Sequence, residues 1–189
     1  LLSLINDILD LSKIEAGKMQ INYEPVELPI LVEDIQHIFE KKLSEKNLSL
    51  KIDIDRNLPH ILYLDEVRIR QILFNLVGNA IKFTDEGYIK IGVYIKETEP
   101  DKYQLNLMVK DTGVGIPRKQ QRLIFNAFHQ QYGQDSRRYE GSGLGLSITR
   151  KLVEKMNGQI KLDSRIGQGS KFEIILPDIQ RGQQKEASY

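Results

Sequence analysis

With 189 residues, 40% apolar and 28% charged, the sequence has the balance of a globular protein able to bury one substantial core and a small appendage. Its 27 lysines and arginines against 26 acids leave a net charge of +1, which excludes a strong overall field drawing the chain to nucleic acid or to a membrane surface. The absence of cysteine excludes disulfides, thiol nucleophiles and cysteine-bound metals, and no apolar run approaches the ~18 residues of a membrane span.

The chain opens without a methionine in a helical pattern, so it reads as a piece of a longer protein. Leu1, Leu4, Ile8 and Leu11 recur at spacings of three and four, the seam of a coiled coil. Ile5 and Leu9 widen that seam, as in a helix of a four-helix bundle; one amphipathic helix lying on the domain's own core would show the same pattern. Gly17 ends this helix, and an extended piece around "INYEPVEL" leads to Pro29.

A helix is predicted over 29–46 with an apolar face of Ile30, Leu31, Ile35, Ile38, Phe39 and Leu43. "LSLKIDID" alternates with period two, so Leu48, Leu50, Ile52 and Ile54 share one face of a strand. A second long helix runs from the N-cap Asp65 to about Phe83. Two strands follow, with Ile89, Ile91, Val93 and Ile95 inward on the first and Leu105, Leu107 and Val109 on the second, joined at "TEPD". Pro117 starts a short helix ending near Phe128, and a polar stretch precedes a third long helix from Leu144 to Met156. "QIKLDS" and "KFEIILP" form a last strand pair, and the tail "DIQRGQQKEASY" has nothing to bury. The expected fold is α+β: a two-layer sandwich in which three helices cover one face of a mixed sheet of about five strands, plus the N-terminal bundle helix.

Three stretches carry chemistry. On the helix from 65 to 83, Asn75, Asn79 and Lys82 fall at i, i+4 and i+7 on one stripe. Carboxamide oxygens can ligate Mg²⁺, a hard cation that shares phosphate oxygens, and the ammonium offsets phosphate charge, although a solvated surface would show the same stripe. Gly78 in mid-helix costs about 1 kcal/mol relative to alanine, so something must come close to its backbone. "DTGVGIP" ends a strand in Asp111, which can accept from an amino group, with bare backbone at Gly113 and Gly115 for a flat ligand. "GSGLGLSI" places Gly141, Gly143 and Gly145 at a helix N-terminus, where free amides favour anions.

"RQILFNLVGNAIKFT", "DTGVGIP", "IFNAF" and "GSGLGLSI" resemble, in order, the N, G1, F and G2 boxes of the catalytic ATP-binding domain of sensor histidine kinases, whose fold is the Bergerat type. "LLSLINDILDLSKIEAGKM" resembles the second helix of their dimerisation and phosphotransfer domain, and "FHQ" with "SRRYEGSGLGLSI" is in the style of a hybrid-type kinase. The resemblance implies a bundle helix over 1–20, a catalytic ATP-binding domain over 21–178 and a linker over 179–189. It implies ATP and Mg²⁺ as ligands, with Asn79 on the metal, Asn75 supporting it and Lys82 on phosphate. Asp111 would bind the exocyclic amine of adenine, with Gly113, Gly115 and Ile116 beside the base and Phe83 lining the pocket. Gly141, Ser142, Gly143, Leu144 and Gly145 would hold the phosphates, Ser170 would reach the base through water, and 129–140 would be a lid anchored by Phe125 and Phe128. Implied partners are a response-regulator receiver domain and a second copy of the chain through the N-terminal helix, in the cytoplasmic portion of a membrane-bound sensor; no nucleic acid or direct membrane contact is expected.

Glu140 stands where the family often has a glycine, and Ser142 replaces the usual threonine while keeping its hydroxyl. Arg137 and Arg138 are positioned either to reach a γ-phosphate or to be solvated. None of His37, His60 and His129 is followed by the acid that marks a phosphoacceptor, so ATP binding is expected of this chain and autophosphorylation is not. Gyrase-type and chaperone ATPases of the same fold hydrolyse ATP with a glutamate at the position of Asn75, a poor general base. A related protein-serine kinase would share the glycine boxes but not the N-terminal helix, and a degenerate scaffold that only dimerises would have no use for Asn79, Lys82 and Asp111.

Overall fold

The computed structural model describes residues 2–127 and 143–182, with the side chains of residues 2–4 excepted. The chain runs α1 (Leu2–Glu15), β1 (Glu24–Val26), α2 (Leu28–Glu45), β2 (Ser49–Ile54), β3 (Leu62–Leu64), α3 (Glu66–Phe83), β4 (Tyr88–Glu99), β5 (Lys102–Asp111), a 3₁₀ turn at Leu123–Phe125, α4 (Gly145–Lys155), β6 (Gln159–Arg165) and β7 (Gly169–Gln180). The main sheet has the order β2-β4-β5-β7-β6, parallel between β2 and β4 and antiparallel elsewhere. It is the mixed five-stranded sheet of the expected α+β sandwich.

The alternating residues of β4 and β5 meet the apolar stripes of the helices. Ile89, Ile91, Val93, Leu105, Leu107 and Val109 are buried, as are Ile69, Ile72, Leu73, Leu76, Val77, Ala80 and Ile81 of α3. Asp65 caps α3 as predicted, accepting from the Arg68 amide at 3.0 Å and from the Asn22 amide at 2.9 Å. Asp101 and Asn157 take left-handed conformations at the β4–β5 turn and after α4.

Several expectations need correction. Ile30 and Ile38 are exposed, while Leu28 and Val32 take the inner face of α2, because the stripe is narrower than hydrophobicity alone suggests. The segment after Pro117 is a series of turns closed by the 3₁₀ turn, with Leu123 and Ile124 both bonding the Gln120 carbonyl. β1 and β3 pair as a small antiparallel sheet; at three residues each they are too short for a periodicity signal. β7 continues to Gln180 and buries Ile179, so the sheet extends past the expected boundary of the tail. Phe39, reaching from α2, is what approaches Gly78: an added Cβ would lie 3.6 Å from its ring, an ordinary contact.

Candidate functional site

α3, the loop after β5 and the first turn of α4 come together at one end of the sheet. The Val114 amide bonds the Phe83 carbonyl at 3.2 Å, which ties the loop after β5 to the end of α3. Asn75 Nδ2 donates to the Gly145 carbonyl at 3.3 Å and to Thr149 Oγ1 at 3.5 Å, which ties α3 to the start of α4. Asn75 therefore braces two elements. Asn79 is half-buried one turn further along, and its carboxamide has no hydrogen bond among the described residues.

Lys82 is half-buried, and its ammonium lies 5.0 Å from the centre of the Phe83 ring. Among the described residues it has no carboxylate partner, and burial lowers its pKa from the ordinary lysine value. Asp111 ends β5 with its side chain on the core face, buried. Its Oδ1 accepts from the Gly113 amide at 2.8 Å and the Ser170 amide at 3.2 Å, while Oδ2 has no donor among the described residues. Burial raises the Asp111 pKa above the usual carboxylate value, and the two backbone bonds partly offset that rise.

The loop glycines have a steric cause inside the chain. A Cβ at Gly113 would collide with the Phe83 carbonyl, and one at Gly115, where φ is +72°, with the Arg165 carbonyl. Close approach of the chain to itself is thus a cause for these glycines beside the expected approach of a ligand. Gly169, at φ +86°, likewise abuts the Asp111 carbonyl.

A clamp that the motifs did not reveal fixes this loop against the β6–β7 turn. Ser164 Oγ accepts from the Ile116 amide at 2.8 Å and donates to the Gly169 carbonyl at 3.0 Å, and it lies 2.9 Å from Ser170 Oγ. Because its one proton goes to Gly169, the Ser170 hydroxyl is the donor between the two serines. Ser170 thus offers lone pairs, not a proton, to anything beside it. Gln121 Nε2 completes the clamp by donating to the Ile116 and Ser164 carbonyls, each at 2.9 Å.

A second unanticipated residue is Lys46, at the end of α2. Its ammonium donates to the Ile81, Lys82 and Thr84 carbonyls at 2.9, 3.2 and 3.0 Å, neutralising the negative end of α3 beneath Lys82 and Phe83. Neither Lys46 nor Ser164 belongs to a motif, and only the folded chain brings each to its target.

Gly143 has φ +70°, Leu144 is fully buried, and Gly145 opens α4, with the Ser147 hydroxyl donating to the Leu144 carbonyl at 2.8 Å. Phe125 packs edge-on against Phe172 at 6.3 Å and lies under Arg150. Gly141, Ser142, Phe128, His129, Arg137, Arg138 and the expected lid over 129–140 lie outside the described residues. His37 and His60 stand apart from the site; His60 Nδ1 is 3.4 Å from Glu27, on the rim of a groove with Ile30 and Leu58.

Among the described residues no group of three His, Asp or Glu side chains could hold a metal by itself. An ion here would have to share its coordination with a ligand, which suits Mg²⁺ on phosphate and one carboxamide oxygen. The Asn79 carboxamide, without a hydrogen bond among the described residues, and Lys82, without an ion pair among them, fit such a group. Also among the described residues, no helix is long and apolar enough to cross a membrane.

A mixed sheet with a carboxylate at the end of an inner strand, beside a helix bearing Asn and Lys, is the arrangement that the resemblance to an ATP-binding domain of the kinase and ATPase class implies. The family of histidine kinase-, DNA gyrase B- and HSP90-like ATPases matches residues 64–180, and the chain belongs to it. The chain is 42% identical to hybrid signal transduction histidine kinase L of Dictyostelium discoideum, over 93% of this chain and 10% of that protein. It is 41% identical to the signal transduction histidine-protein kinase BarA of Escherichia coli K12, over 91% of this chain and 19% of that one. The crystal structure of full-length ShkA in complex with AMPPNP superposes with a TM-score of 0.82 and 29% identity, covering 96% of this chain and 36% of that one. The chain thus spans between a tenth and a fifth of the two curated relatives, and its matched region is the catalytic domain of the histidine-kinase type.

Proposed function

We propose that this chain binds ATP with Mg²⁺ and presents the γ-phosphate to a histidine on another helix of the bundle to which α1 belongs. One observation carries the reading: where the neighbouring Asn75, Ser164 and Ser170 are engaged within the protein, the Asn79 carboxamide, the Lys82 ammonium and Asp111 Oδ2 have no hydrogen-bond or ion-pair partner among the described residues. Asp111 accepts the exocyclic amine of adenine, which guanine replaces with a carbonyl. Asn79 holds the Mg²⁺, which neutralises phosphate charge when bound, and Lys82 lies against phosphate. Ile116 borders the base, and Gly143 and Gly145 lie at the start of α4, where backbone amides favour the phosphate chain. Asn75, spent on bracing α4, is no general base, which favours transfer to an acceptor over hydrolysis.

In the full-length protein α1 pairs with a second copy, and a receiver domain takes the phosphoryl group onward, as the names of the hybrid relatives suggest. The test is calorimetric titration with ATP, ADP and GTP, with and without Mg²⁺. ATP should bind more tightly with the metal, GTP should bind weakly, and Asn79→Ala should lose most affinity in the titration with metal. Equal losses in both titrations would remove Asn79 from the metal, and failure of both ATP and ADP to bind would overturn the reading.

A further inference from the structure

Lys51 on β2, Lys90 on β4, Lys110 on β5 and Lys171 on β7 all occupy strand positions alternating with core residues, so they point to the sheet face opposite the helices. They are also in register: Lys51 is opposite Lys90, Lys90 opposite Lys110, and Lys110 opposite Lys171. Strands lie ~4.8 Å apart, so four ammonium stems stand in one row about 14 Å long. Like charges directly opposite one another weaken a sheet. The chain's net charge of +1 conceals this row completely.

Its charges are only partly compensated. Lys90 is paired with Asp53 at 2.7 Å, Lys51 lies 4.0 Å from the Tyr88 ring centre, and Lys171 is 4.0 Å from Glu173. The Lys110 ammonium has no ion pair or hydrogen bond among the described residues. Asp53 and Glu173 flank the row on the same face, Asp163 ends it directly opposite Lys171 on β6, and Met108 and the Tyr94 ring fold over Gly92 beside it.

We propose that this row is the docking surface for a protein helix bearing a single stripe of acidic residues. Neighbouring side chains at i, i+3 and i+4 of a helix are ~5–6 Å apart, close to the strand spacing and within reach of lysine stems. A dense polyanion such as a nucleic-acid backbone or an anionic bilayer would meet Asp53, Glu173 and Asp163 together, whereas one stripe of four acids is matched to the lysines and ends before Asp163. Lys110 immediately precedes Asp111 but faces the other way, so the row stays open while the nucleotide site is filled.

The experiment is a nuclear magnetic resonance titration of the labelled chain, at low and at physiological salt, with a synthetic helical peptide carrying glutamates at i, i+4, i+7 and i+11. Controls are the same peptide with glutamines, an oligothymidylate and phosphatidylserine vesicles. Shifts should be confined to the lysine row and weaken with salt. Lys110→Gln combined with Lys171→Gln should lower the affinity about five- to tenfold, by removing two partly exposed ion pairs, with ATP affinity unchanged and the melting temperature no lower. Shifts elsewhere, no shift, affinity unchanged in the double variant, or tighter binding of oligothymidylate or vesicles would overturn the proposal.

Discussion

At Asp111 stability and binding pull in opposite directions. Its carboxyl is buried on the core face of β5, and burial, the larger influence, lifts its pKa above the unfolded value. The stability it contributes is therefore fully present below the unfolded pKa and is lost as pH rises through the folded one, so at neutral pH the ionised group is a liability to the free domain. Both backbone donors converge on Oδ1, and an asparagine oxygen can accept them equally well. Asp111→Asn should thus melt at a higher temperature than the parent at neutral pH, with the gap narrowing as the solution is acidified through the carboxylate range. In the proposed nucleotide site the same change turns an acceptor at Oδ2 into a donor facing the adenine amine. Loss of a hydrogen bond to a charged group is worth ~1.5–3 kcal/mol, so ATP should bind roughly ten- to a hundredfold more weakly. Melting curves over a pH series with calorimetry on the same protein measure both effects, and a variant that is less stable at neutral pH would contradict the burial argument.

Among the elements, α3 shows how a site is held from behind. The carbonyls of Ile81 and Lys82 in its last turn and of Thr84 at its C-cap all accept from Lys46, an ammonium reaching across from the C-cap of α2. Lys46→Met keeps the stem but removes three charge-assisted bonds and the countercharge to the helix dipole. A loss of about 1.5–3 kcal/mol is expected, a melting temperature lower by several degrees, together with weaker ATP binding because Lys82 and Phe83 sit on the loosened turn. Unchanged affinity in a destabilised variant would restrict Lys46 to the fold. The long elements were legible in sequence because α3, β4 and β5 are strongly periodic, and Asn79, Lys82 and Asp111 could be singled out as candidates because their spacing and neighbours are distinctive. Lys46, Ser164 and Gln121 were not, since each acts on a backbone group brought near only by folding, 35 or more positions away for Lys46 and 48 for Ser164 to Ile116. The glycines of the loop after β5 stood out in the sequence, but one cause of them did not: the bare backbone fits against Phe83 and Arg165 of the chain itself.

At the level of the whole molecule, α1 stands apart from the body that carries the site. Among its described side chains, the apolar attachment is through Leu11, buried, and Ile14, half-buried. Polar contacts run from Asp10 to Gln71 at 2.8 Å and Arg68 at 3.5 Å on α3, and from Glu15 to Lys151 at 2.7 Å on α4. Ile5, Ile8 and Leu9 meanwhile remain about half exposed, at 46, 46 and 51%, on a helix whose heptad spacing suits a bundle. A helix held by so narrow a seam should open at far lower free energy than β4 and β5, whose residues lie in the centre of the sheet with both edges paired. Hydrogen exchange should accordingly be fast along α1 and slow in the central strands. Asp10 holds two α3 side chains at once, so Asp10→Ala should quicken exchange in α1 severalfold while leaving β4, β5 and ATP affinity unchanged. Acceleration spread equally through α1, α3 and the sheet would mean that the helix and the body unfold as one cooperative unit, and α1 would then be part of the nucleotide-binding core and not an arm attached to it.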